Sequence, residues 1–289
     1  MPEAHDILQE WDTGNETSTR FIKPHILQVL YEFNSKEKPT TPHPFAERFK
    51  WTEWASLQEI RSMTSIKNET SLRKLADLAV KREEKILSRL EELQKQIDEE
   101  VYQLFEISGK DKALIERDFA FRRGRTSFTK KDVEGSKEEP LPKATLKIED
   151  HVARLLSVYI KRALESDTDG IVSCRQLIQK IREYFAEDFG EDQADAKEKE
   201  IEEIFGKSLE DWIANDYFDF HVDVYKRRPI FWHLTSSNFS RKRGSKGAFN
   251  FFIHYQKLDR DTIPKIQANY LRPELERAKW KVDRLKREL

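Results

Sequence analysis

The feature that most constrains this chain is a run from Leu72 to about Phe105 in which apolar residues recur at Leu75, Ala79, Ile86, Leu90, Leu93, Ile97, Val101 and Leu104. After Ile86 the steps are four, three, four, four and three, which lays one apolar seam along a helix and leaves charges on its other faces. At about 1.5 Å rise per residue such a helix spans roughly 50 Å. It cannot bury that seam by itself, so it packs on partner helices or bridges two helical parts. Gly109 is the expected stop. Self-association as a coiled coil is the alternative use of the seam, with an intrachain spacer the simpler one.

The rest of the chain agrees with a helical class. Only 9 glycines and 10 prolines interrupt 289 residues. The expected fold is mainly α with a small β-hairpin or sheet (α+β), in four stretches. Residues 1–50 read as an irregular N-terminal segment, with a helix near Ile22–Phe33 and Pro39, Pro42 and Pro44 in a turn. Residues 51–108 hold a short amphipathic helix around Trp51, Trp54, Leu57, Ile60 and Met63 and then the long helix. Residues 109–147 read as a linker, with Val133–Lys143 expected to be mobile.

Residues 148–289 read as a C-terminal helical domain carrying a hairpin. Val152, Leu155, Leu156, Tyr159, Ile160 and Ala163 share a helical face, Ser173 with Gln176 forms a capping box, Gly206 ends one helix and Ser208 starts another. Pro229–Thr235 and Ala248–Tyr255 alternate as two strands around the polar tip Ser236–Gly247. On the first strand Trp232 shares a face with Ile230 and Leu234, which is taken as the packed face, although Trp232 and Tyr255 could also stack on bases. Thr262–Leu271 and Pro273–Leu289 close the chain as helices.

Charge narrows the function classes. Lys plus Arg number 52 against 53 Asp plus Glu, so attraction to a polyanion has to be local. The hairpin tip concentrates Arg241, Lys242, Arg243 and Lys246, and Lys226, Arg227 and Arg228 enter the hairpin from its other end. Such cations suit a phosphate backbone, whose counterions they release, while a solvated charged loop accounts for them equally well in a chain with 36% charged residues. Arg122, Arg123 and Arg125, interleaved with Phe119, Phe121 and Phe128, make a second candidate strip, with the aromatics as core residues the favoured alternative.

Reactive chemistry is poorly represented. No two prolines are adjacent, so the Asn/Asp-Pro-Pro-aromatic loop that holds a flipped base in amino-methyltransferases is missing. No two glycines stand one residue apart, which removes the Gly-x-Gly turn at which a backbone approaches a nucleotide or S-adenosylmethionine. The seven histidines never sit three or four apart, Glu83–Lys85 is a nuclease-like triplet of the kind a charged helix produces by chance, and Cys174 is the single cysteine. The lone cysteine, an N-terminus without a secretory pattern and the lack of an apolar stretch of spanning length point to the cytoplasm and away from a membrane.

Two segments carry a resemblance. Leu90 to Ile107, a leucine-rich run into Glu-Val-Tyr-Gln-Leu-Phe, resembles the helix beside the target-recognition region of large adenine methyltransferases. Phe205-Gly-Lys-Ser-Leu-Glu-Asp-Trp212, Asp216-Tyr-Phe-Asp-Phe-His221, Tyr225-Lys-Arg-Arg-Pro-Ile-Phe-Trp-His-Leu-Thr-Ser236 and Gly247-Ala-Phe249 resemble the C-terminal region of the BREX phage-defence adenine methyltransferases and related type IIG restriction–modification enzymes. The resemblance covers residues 148–289 and, more loosely, 70–108. It implies a part of such an enzyme that engages double-stranded DNA and docks a catalytic methyltransferase domain or subunit and other defence proteins. S-adenosylmethionine and the reacting groups would belong to that catalytic partner, and no cofactor or catalytic role passes to a residue of this chain. A pure interaction module of the same complex, touching no DNA, is the alternative.

Overall fold

The computed structural model describes residues 2–34, 66–123, 146–236 and 249–288. The Trp51/Trp54 segment, Val133–Lys143 and the hairpin tip therefore lie outside the described residues. Helices α1 (Pro2–Asp12) and α2 (His25–Asn34) open the chain, followed by α3 (Leu72–Leu104) and α4 (Gly109–Arg123). Then come α5 (Ile148–Ser166), β1 (Ile171–Ser173), α6 (Cys174–Phe189), α7 (Ala194–Phe205), α8 (Leu209–Asn215) and α9 (Tyr217–Val224). Strands β2 (Phe231–Thr235) and β3 (Asn250–His254) precede α10 (Thr262–Lys265), a π-helical turn over Ile266–Leu271 and α11 (Arg272–Glu288). The mainly α architecture with a small sheet is thus as expected, while 2–12 and 109–123, read as irregular or linker, are helical.

The apolar stripe of α5 makes it the hub. Val152, Leu155, Leu156, Tyr159, Ile160 and Leu164 are buried and pack against α2, α3, α6, α7, α9 and the sheet. Each such side chain contributes about 1.5–3 kcal/mol. The proximal half of α3 joins the same core through Leu72, Leu75, Ala76, Leu78 and Ala79.

Local chemistry sets the helix ends. Ser71 accepts from the amide of Lys74 at the start of α3, and Glu200 on α7 takes the free amide of Leu72. Lys197, fully buried, donates to the Thr70 carbonyl at 2.8 Å and to Glu200 at 3.0 Å, tying α7 to the same helix start. The Ser173–Gln176 capping box opens α6, Ser208 caps α8, and Gly206 ends α7 at φ 66°. Helix α3 stops at Leu104 and Glu106 turns at φ 50°, so the expected stop at Gly109 is replaced by Glu106, and Gly109 begins α4 instead.

The hairpin gains a third strand that the sequence pattern does not suggest. The sheet order is β1-β3-β2, all antiparallel, with Phe231 opposite His254, Trp232 opposite Ile253 and Ile171 also opposite Ile253. Gly170, at φ 65°, leads into β1 where a Cβ would stand 2.7 Å from the Lys257 side chain, a place for glycine alone. That lysine lies across the C-terminus of α5 and donates to the carbonyls of Glu165 and Asp167, which pins β3 to the hub helix.

Candidate nucleic-acid interface

Of the ten cations singled out by sequence, three lie within the fully described residues. Lys226, Arg227 and Arg228 form the turn between α9 and β2, and all three are exposed. Arg122 and Arg123 close α4, with no side-chain description, and Arg125, Arg241, Lys242, Arg243 and Lys246 lie outside the described residues. The turn leads directly into β2, whose five residues extend roughly 17 Å.

The turn is tightly tied down. The amides of Tyr225, Lys226, Arg227 and Arg228 donate to the carbonyls of His221, Asp223, Val222 and Tyr225 at 2.8–3.1 Å. His221 Nε2 accepts the amide of Ile230 at 3.1 Å, and Tyr255 donates its amide to the Ile230 carbonyl. The accepting Nε2 fixes the neutral tautomer, with the proton on Nδ1. Burial holds the His221 pKa down to about 4, and its ring stacks between Tyr225 and Phe231 at 4.4 and 4.8 Å. A neutral aromatic floor thus carries the turn, and the cations face water.

Lys226 and Arg227 both adopt left-handed backbone, φ 51° and 62°. Each such non-glycine residue costs about 1 kcal/mol, a strain that persists where the surroundings over-determine it. Among the described residues none of the three makes an ion pair. Changing both Lys226 and Arg227 to Gly is expected to leave the melting temperature unchanged or slightly raised, because the glycine entropy penalty of roughly 0.5–1 kcal/mol is offset by the relieved strain. A clear fall in melting temperature would show that the side chains hold the turn.

Beside the turn, the expected burial of Trp232 is corrected. Its indole is 60% exposed, and the main core receives the opposite face of β2 through Phe231. The Trp232 face is covered only in part, where Ile266 packs on Ile171 and Ile253, with Leu234, Tyr270 and Leu271 alongside. Tyr255 is also exposed. The turn of three exposed cations thus leads into a strand with an exposed Trp232, and Tyr255, whose amide bonds the Ile230 carbonyl, is exposed as well; cations can grip a phosphate backbone and accessible rings can stack on an unpaired base.

A helix pair offers the other route to DNA. Helices α6 and α7 are joined by a tight turn at Gly190–Gln193. Helix α7 carries five carboxylates against two lysines, one of them buried. Such a surface is repelled by a duplex, which leaves the turn and hairpin as the positive element.

Glu83 of the nuclease-like triplet is buried between His25 and His151, at 3.4 and 3.0 Å. Among the described residues no cluster of three or more His, Cys, Asp or Glu is arranged to hold a metal, and no helix is long and apolar enough to cross a membrane. A groove of about 490 Å³ between α5, β1 and α6 is lined by Asp167, Thr168, Gln176, Gln179 and Lys180 among others. Its lining contains neither an aromatic ring nor a glycine.

No family model matches the chain. An alignment over 132 positions, covering 43% of the chain, is 26% identical to the adenine-specific methyltransferase PglX of Lacticaseibacillus casei (strain Zhang). The match spans 10% of that protein's length. The similarity is to a methyltransferase sequence, over a portion much too short to represent the whole enzyme.

Proposed function

We propose that this chain is a non-catalytic, DNA-engaging and scaffolding part of an adenine-specific DNA methyltransferase from a BREX-type or related phage-defence system. S-adenosylmethionine and the methyl-transfer groups would reside in a catalytic partner domain or subunit. The observation that carries the reading is the Lys226-Arg227-Arg228 turn, exposed and held in strained backbone next to Trp232 and Tyr255. Backbone strain of this kind clusters at functional sites. The likeness to an adenine-specific methyltransferase supplies the duplex as the natural polyanion.

Titration of labelled duplex with the purified chain tests it. Changing Lys226, Arg227 and Arg228 to Ala is expected to weaken binding about tenfold or more and to flatten the slope of log affinity against log salt by up to about 3, close to one for each phosphate that is no longer neutralised. Changing Arg241, Lys242, Arg243 and Lys246 to Ala is expected to weaken binding by a comparable further factor. Affinity and salt slope indifferent to both sets would remove DNA from the reading.

The exposed end of α3, with Leu104 and Phe105 at 77% and 70% exposure, favours a second reading, an interaction module of the same complex that does not contact DNA. Under it, co-purification with a catalytic subunit survives removal of every cation named above and is abolished when Leu104 is changed to Lys.

A further inference from the structure

Helix α11 presents two unlike sides. Leu275, Ala278, Val282 and Leu285 line one of them, and every residue from Leu275 to Glu288 is exposed. The other side carries two interlocking rows, Arg277-Lys281-Arg284 and Trp280-Arg284-Arg287, each at steps of four and three. From Arg277 to Arg287 the helix holds six cations and one carboxylate, Asp283. Asp283 and Glu276 lie along a border of the cationic side. Glu274 and Glu288 close its ends, 2.7 Å from Arg277 and 3.5 Å from Arg284. Both pairs are exposed, so they hold the guanidinium groups only weakly against a competing phosphate.

The fold accounts for little of this pattern. Lys286 and Arg287 suit the negative end of the helix dipole, whose influence fades within a turn. Arg277 and Lys281 lie beyond that reach, and like charges four residues apart oppose the helix. Trp280 is the second anomaly. Its indole is 64% exposed among the cations, on the side away from Val282, with the Arg284 guanidinium 5.3 Å from the ring centre. A helix lying on a membrane puts its tryptophan with the apolar residues, and here the two are apart. A duplex keeps its base faces inside the stack. An exposed ring among cations fits a polymer that offers phosphates and open base faces together, which is an unpaired nucleic-acid strand.

We propose that the Trp280 side of α11 binds single-stranded DNA, with Trp280 stacked on a base and Arg277, Lys281 and Arg284 on phosphates. The choice of DNA rests on the methyltransferase reading above, whereas the site stands on α11 alone. From Arg277 to Arg287 this side is about 15 Å long, so it engages a few nucleotides, and its affinity falls with salt.

Titration of a labelled oligo-dT strand with the full chain tests this. Trp280→Ala is expected to weaken strand binding roughly tenfold, while Trp280→Phe, which keeps a ring, retains most of it. Arg277→Ala/Lys281→Ala should weaken it several-fold and reduce the salt slope by about 1.4, near 0.7 for each phosphate no longer neutralised. All three sites are exposed, so melting curves should be unchanged. Affinity for a duplex should move less than twofold with Trp280→Ala. Strand affinity indifferent to Trp280→Ala overturns the proposal, even if the cation pair matters. So does binding to anionic lipid vesicles that is lost with Val282→Lys and kept with Trp280→Ala, which would assign α11 to a membrane surface. Duplex binding by the Lys226/Arg227/Arg228 alanine variant reports on the turn, so either reading can fail without the other.

Discussion

Replacing Arg82 with Ala is expected to cost about 3–5 kcal/mol of folding stability, the cost of breaking a buried charged network by removing one member. Arg82 lies on α3 with no solvent exposure. Its Nη1 donates to Gln28 Oε1 at 2.6 Å, and its Nη2 to Glu10 Oε1 at 3.1 Å. The guanidinium thereby joins α3 to both N-terminal helices. Next to it, Glu83 faces His25, His151 and, at 3.9 Å, Arg154. Burial, reinforced by Arg82, pushes the His25 pKa well below its ordinary value, so His25 is neutral. Arg82 is therefore the cation paired with the buried Glu10 carboxylate and the donor to Gln28, and its removal leaves both without that partner in the interior. Denaturant unfolding of Arg82→Ala against the parent reads the difference directly. A decrease under about 1 kcal/mol, in the range of an exposed ion pair, would mean that the network relaxes into contact with water.

This network also marks where sequence reading stops. Arg82 and Glu83 stand within Lys81-Arg82-Glu83-Glu84-Lys85, a run whose composition reads as solvated surface. The position is nonetheless encoded. Arg82 and Glu83 follow Ala79 by three and four residues, so they continue its face toward Ile86, and that face is the buried one. What sequence cannot supply is the partner set, because His25, Gln28 and Glu10 arrive from segments more than fifty residues away.

The elements legible in the sequence are those with local causes: the periodicity of α3, the Ser173–Gln176 box, the Gly206 stop and the two alternating strands. Strand β1 is invisible there because three residues carry no period, and it exists only through its register with β3. The facing of Trp232 departs from expectation for a related reason. Alternation sorts β2 into two faces, both apolar enough to pack, and the choice is made by α9 and α5 beneath Phe231. The cations of the candidate interface are legible as charge. Their left-handed backbone is not, since lysine and arginine disfavour the conformation that Lys226 and Arg227 hold.

Glu16 is expected to make the fold less stable as pH rises, a trend opposite to that of most carboxylates. It is buried, its Oε1 accepts from Ser157 Oγ at 3.0 Å, and its Oε2 has no hydrogen-bond partner among the described residues. Burial raises its pKa from 4.5 to about 7, only partly countered by the Ser157 hydrogen bond and by Lys161 and Arg154. Between those two values the folded state holds a proton that the unfolded state has released, so stability falls as pH climbs from about 4.5 to 7 and levels off above. A shift of that size corresponds to about 3 kcal/mol. Glu16→Gln keeps an acceptor for Ser157 and removes the titration, so it should be more stable than the parent by roughly that amount at pH 8 and nearly equal to it at pH 4. The buried His25 and His221 and the half-buried His233, whose pKa values are lowered chiefly by desolvation, act in the other direction. They lose stability as pH falls below about 6.5, because the unfolded chain binds protons that the folded one refuses. That contribution is common to parent and variant and cancels in their difference. If the difference between the two unfolding curves is flat across this range, the Glu16 carboxyl titrates as an ordinary solvated acid, and the burial of the segment that links α1 to α2 against α5 is not maintained in solution.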